Sequence, residues 1–108
     1  MIRVTYSAKS YSLHVQGHDH QDDGNRQSLL CNAASTLFYA LCYNVSKRAM
    51  EMENLIGHKV RAEKGDAYIE ISPESYARLG YTAMFEHFVN GFKMLAEEHP
   101  ERIEVIEE

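Results

Sequence analysis

His18 and Cys31, thirteen positions apart, are the side chains of this sequence best suited to covalent chemistry. They lie within Gly17 to Ser35, GHDHQDDGNRQSLLCNAAS, where a Gly-His step leads through a polar, glycine-containing stretch to a cysteine near the start of a long apolar pattern. The nucleophilic form of cysteine is the thiolate, and an unperturbed thiol is mostly protonated at neutral pH. Within the first turn of a helix, unpaired N–H groups and the helix dipole favour the anion. A histidine in hydrogen-bonding reach can take the thiol proton, stabilise the ion pair and later protonate a leaving amine. The same N–H groups can hold a developing oxyanion. A spacing of thirteen is too long for helical neighbours, so the two side chains meet only if the loop between them folds back on the helix start.

Each of these residues also has a plain structural reading. Cysteine is among the residues most often buried for packing alone, and Cys31 falls on an apolar stripe with Ala34, Ser35, Phe38, Leu41, Cys42 and Val45. Cys42 lies further along that stripe with no acid or base beside it, and reads as packing. Ser35, one turn after Cys31, reads as a packing or hydrogen-bonding neighbour of the site. The two cysteines are eleven residues apart on one helical pattern. That is roughly 16 Å at the helical rise, beyond disulfide reach, so free thiols are expected. His14, His18, His20, Asp19, Asp22 and Asp23 crowd together as candidate metal ligands, but alternation separates His14 from His18 and no compact C-x-x-C or H-x-x-x-H motif appears. The cluster reads as a solvated loop. No glycine-rich strand-to-helix motif suggests a phosphate site.

The elements that must position the pair follow from patterning. Ile2 to Tyr6 and Tyr11 to Gln16 alternate apolar and polar residues, a β-hairpin closed by Gly17. Asp19 to Gln27 is polar enough for a surface loop, with Gly17 and Gly24 as hinge candidates. Ser28 is placed to cap a helix running from Leu29 to about Met50, and a second apolar row, Leu30, Ala33, Leu37 and Leu41, implies a central helix covered on most sides. Lys47 and Arg48 suit its C-terminal end. Lys59 to Lys64 and Ala67 to Ser72 read as a second hairpin turning at Gly65-Asp66. Ser72-Pro73 starts a short turn, Gly80 breaks or bends it, and a main helix from about Thr82 to Glu98 carries Met84, Phe85, Phe88, Phe92, Leu95 and Ala96. Pro100 stops this helix before a last short strand from Ile103 to Ile106. The order ββ-α-ββ-α-β, with two apolar-striped helices and one-faced strands, makes an α+β fold: two main helices packed on a mixed sheet.

The 108 residues suffice for one domain and one core, and 44% hydrophobic with 25% charged residues is an ordinary globular composition. A formal net charge of −5 opposes direct binding to nucleic acid. No apolar run is long enough to span a membrane. Met1-Ile-Arg-Val opens as a strand rather than a signal peptide, so a cytoplasmic location is expected.

At these residues the sequence resembles the ribosomal-processing cysteine protease family Prp. Gly17-His18 matches the Gly-His that ends the family's first hairpin, and Gly24 its loop glycine. Leu29-Leu30-Cys31 with Ala33-Ala34-Ser35 matches the start of its helix. The length, element order and acidic C-terminal end extend the likeness over essentially the whole chain. The resemblance implies a cysteine endopeptidase with Cys31 as nucleophile and His18 as general base and acid. Its substrate would be the precursor of a large-subunit ribosomal protein, from which it removes an N-terminal extension. It also implies a homodimer, a loop that moves when substrate enters, and no metal or organic cofactor. Two positions depart from the family pattern: its aspartate three residues before the cysteine is Ser28 here, and residue 32 is Asn. Ser28 can cap the helix but supplies no negative charge to the histidine. The alternative from another class is a catalytically weak or inactive protein that binds ribosomal or other partners with an inert thiol.

Overall fold

A computed structural model describes residues 1–19, 28–51, 58–71 and 78–108. Five strands and two helices follow in the order β1 (Ile2–Ser7), β2 (Ser12–Gln16), α1 (Leu29–Glu51), β3 (His58–Glu63), β4 (Asp66–Ile71), α2 (Arg78–Glu98) and β5 (Ile103–Glu107). The strands form one sheet ordered β3-β4-β2-β1-β5. The pairs β3·β4, β4·β2 and β2·β1 are antiparallel, whereas β5 runs parallel to β1, with Ile2 opposite Ile103. The sheet is therefore mixed, and the α+β architecture expected from patterning is present.

Alternation decides which face is covered. Ile2, Val4 and Tyr6 of β1 are buried, and the register sets them beside Leu13 and Val15 of β2 and Ile103 and Val105 of β5. Continuing outward, Leu13 faces Ile69 of β4, which faces Val60 of β3. The opposite face carries Arg3, Thr5, His14, Tyr68, Arg61, Glu70 and Lys59, and its ion pairs include Arg3–Glu104 at 2.6 Å and His14–Asp66 at 2.5 Å. A sheet with one apolar face needs one cover, and the helices supply it. Phe38, Leu41 and Val45 of α1 and Tyr81, Phe85, Val89 and Phe92 of α2 join the sheet residues in a single core. Each such large side chain contributes roughly 1.5–3 kcal/mol through burial.

Several local features differ from the sequence reading, each for a physical reason. The tip of the second hairpin is Lys64-Gly65 rather than Gly65-Asp66, because Glu63 pairs with Asp66 and the glycine takes the positive φ of +77° that the turn demands. Tyr11 is a turn residue with φ +49° rather than the first residue of β2, and its hydroxyl pairs with Thr82 Oγ1 at 3.0 Å. Helix α2 begins at Arg78 and runs through Gly80 without a break. A helical glycine costs about 1 kcal/mol, less than burial of the neighbouring Tyr81 and Phe85 returns. Helix α1 is not covered on most sides: Leu29 (87% exposed), Tyr39, Tyr43 and Met50 (74%) face outward. Ser72-Pro73 and Gly24 lie outside the described residues.

Candidate active site

The end of β2 is pinned before the candidate histidine begins. Gly17 has φ +88°, and a Cβ there would lie 2.3 Å from the Met1 carbonyl oxygen, so both conformation and space require glycine. Its N–H donates to the Gly65 carbonyl at 2.9 Å, tying β2 to the tip of the β3–β4 hairpin. The next residue, His18, gives its carbonyl to the Met1 amino group at 2.8 Å. Its imidazole lies directly over Gly65: a Cβ on that glycine would sit 2.4 Å from Nε2 and 2.7 Å from Cε1. The hairpin tip thus serves as the platform for the ring.

Cys31 arrives from the other side, as the third residue of α1. Ser28 precedes the helix and caps it as expected, its Oγ accepting the Cys31 N–H at 3.1 Å while its carbonyl accepts the Asn32 N–H at 3.0 Å. Those two amides are therefore committed, and an oxyanion at this site has to draw on other donors. Cys31 is 7% exposed. Neither Cys31 nor Cys42 is in a disulfide. Burial pushes the Cys42 thiol up to about 11, as suits a packing residue.

His18 and Cys31 line one cavity of about 430 Å³. Ser35, Phe38 and Tyr39 of α1 form one wall, the hairpin from Ala62 to Ala67 forms another, and Ile2 and Val15 contribute apolar surface from the sheet. Glu63, Lys64 and Asp66 also line the cavity on the hairpin side, with the Asp66 carboxylate turned to His14 on the uncovered sheet face. Asp66 is held below the usual carboxylate range, chiefly by its hydrogen bond with His14 and then by Arg61. An apolar, partly enclosed space with a thiol, an imidazole and a few polar groups suits a peptide segment better than a highly charged ligand.

Of the residues singled out in the sequence, Gly17, His18, Cys31 and Ser35 share this cavity, and Ser28 stands behind Cys31 as its cap. Gly24 and the histidine and aspartates at positions 20, 22 and 23 lie outside the described residues. The other metal candidates diverge, since His14 is bonded to Asp66 on the uncovered sheet face and Asp19 turns inward. Among the described residues no group of three or more His, Cys, Asp or Glu is arranged to hold a metal ion.

Asp19 is the residue that patterning misjudged. Read as part of a surface loop, it is 2% exposed and paired through both carboxylate oxygens with Arg102, whose Nε donates to Oδ1 at 2.9 Å while Nη2 donates to Oδ2. Its partner lies 83 residues away, so no local spacing could reveal the pair. Gly65 was legible as a turn glycine, but its role beneath His18 was not.

No family model and no curated protein matches the sequence. Among solved structures, the chain is similar to two crystal structures of the essential ribosomal processing protease Prp from S. aureus, with 100% of both chains covered. The one in complex with a covalently linked product peptide has a TM-score of 0.71 at 16% identity, and the one with a substrate peptide 0.72 at 14%. SMU.848 from Streptococcus mutans is similar over 99% of this chain and 96% of its own, with a TM-score of 0.67 at 23% identity. At such identities the likeness is one of fold. The chain has the fold of the ribosomal processing protease Prp, the family that its Gly-His and cysteine-bearing segments resemble.

Proposed function

We propose that this chain is a cysteine endopeptidase in which Cys31 is the nucleophile and His18 the general base and acid. The observation that carries the reading is that these two residues, separated by a polar loop in sequence, line one cavity where Cys31 occupies the first turn of α1. In this reading His18 holds the Cys31 proton while the sulfur adds to the scissile carbonyl carbon, and the carbonyl electron pair moves to oxygen. Collapse breaks the C–N bond as His18 protonates the departing amine, leaving a thioester on Cys31. His18 then removes a proton from water, whose oxygen adds to the thioester carbon. Collapse of that adduct releases the acid product and the Cys31 thiolate. No metal or organic cofactor takes part.

The substrate proposed is a large-subunit ribosomal protein precursor carrying an N-terminal extension. The support is the shared fold: the S. aureus Prp structures are complexes with a substrate peptide and with a covalently linked product peptide. Cytoplasmic action fits that substrate, and no described helix is long and apolar enough to cross a membrane. A homodimer belongs to the same reading. Leu29, Tyr43 and Met50 recur on α1 at multiples of seven residues with Tyr39 beside them, an exposed seam suited to pairing with a second helix.

The test is to incubate the protein and its Cys31→Ala form with such a precursor and follow removal of the extension by mass. The proposal expects cleavage by the first alone. Cleavage by both forms would eliminate the nucleophile assignment, and cleavage by neither would favour a binding protein with an inert thiol.

A further inference from the structure

Next to His18 in the chain, and outside the cavity lining, is a charge pair that the proposed chemistry does not use. The Asp19 side chain is fully buried, and that of Arg102 is 18% exposed. A buried carboxylate persists only when paired and hydrogen-bonded, and a guanidinium gripping both oxygens fixes the carboxylate plane as well as its position. Arg102 is itself immobilised. Its N–H donates to the His99 carbonyl and its carbonyl accepts the Ile2 N–H, both at 2.9 Å, so it is anchored to the end of α2 and the start of β1. The fork therefore transmits the position of the β1–β5 seam to residue 19. On the other flank, residue 17 is fixed by its hydrogen bond to Gly65 and by its close approach to Met1. His18 is held between two pinned neighbours, with Asp19 directed inward and the His18 ring toward the cavity.

We propose that the Asp19–Arg102 pair positions His18, holding its backbone so that the imidazole stays over Gly65 and toward Cys31. The inference rests on the Cys31–His18 reading and extends it to two residues outside the cavity lining. Asp19 and Arg102 are positioning residues, and their loss releases the ring. A misplacement near 1 Å in a catalytic group lowers rates by roughly 100-fold.

The experiment follows alkylation of Cys31 by iodoacetamide against pH in the full chain, with peptide mapping to separate it from Cys42 and a thermal melt to confirm folding. The panel is the parent protein, His18→Ala, Asp19→Asn, the apolar pair Asp19→Leu with Arg102→Met, and the amide pair Asp19→Asn with Arg102→Gln. The parent should react at neutral pH, and His18→Ala should lose that reactivity. Asp19→Asn and the apolar pair should lose about 100-fold of it while folded. The amide pair can restore the neutral counterpart of the Nε-to-Oδ1 hydrogen bond and should recover part of the rate. The apolar pair removes both charges of the fork together, so it reports on the inference even if Asp19→Asn fails to fold. Should His18→Ala abolish reactivity while the folded apolar pair keeps it, the positioning role is overturned and the Cys31–His18 reading stands. Should His18→Ala change nothing, both fall.

Discussion

Gly65→Ala is a small substitution with two separable consequences. The first is backbone strain. Gly65 has φ +77°, and an L-residue held in the left-handed region costs roughly 1–2 kcal/mol. For a domain of this size that lowers Tm by roughly 5–15 °C. The second is steric and falls on the site. The new Cβ would lie 2.4 Å from His18 Nε2, whereas ordinary contact begins at 3.4 Å, so the ring has to retreat by about 1 Å or tilt away. A displacement of that size in a general base costs roughly 100-fold in turnover. Activity should therefore fall much further than strain alone explains, since the protein stays folded at assay temperature. The assay is kcat/KM on a precursor peptide, measured beside a urea titration of the same sample. A Gly65→Ala protein less stable by the expected amount yet within about threefold of parent activity would refute the placement of His18 on the hairpin tip.

Other consequences follow from single contacts. Ser28→Ala removes the cap on the Cys31 N–H and should cost about 1 kcal/mol by denaturant titration, whereas Ser28→Asp should retain the cap. The Cys42 thiol, raised from 9.0 to about 11 by burial, ionises later in the folded than in the unfolded chain. Its contribution is intact below pH 9 and is lost as pH rises toward 11, so Cys42→Ala should flatten stability against pH in that window. Tyr43→Glu together with Met50→Glu places charge on the exposed seam of α1 and should yield monomers by light scattering, without loss of thermal stability in the monomer.

Most of the frame was legible because the chain states its periods clearly. Ile2, Val4 and Tyr6 alternate, and the core-facing residues of α1 recur at three and four, so hairpin, helix and layer order were readable without any long-range contact. The cap at Ser28 was readable for the same local reason. What escaped depended on partners distant in sequence or on competing local terms. Asp19 looked like a loop residue because its polarity was visible and Arg102 was not. Gly80 looked like a break because its helix propensity was visible and the packing around Tyr81 and Phe85 was not. The Gly-Asp pair alone sets the hairpin tip one residue late, since the glycine of this two-residue turn takes the second position. In the site, the pair of reactive types was legible, whereas the platform beneath the imidazole required the fold.

If Cys31 and His18 work as one unit, a double-substitution cycle on precursor cleavage will show it. Residues acting as a unit show grossly non-additive losses. Cys31→Ala and His18→Ala should each reduce kcat/KM to a common floor, and the doubly substituted protein should sit on that same floor. A His18→Ala protein within tenfold of the parent, or losses that multiply in the double variant, would show that the two residues act independently.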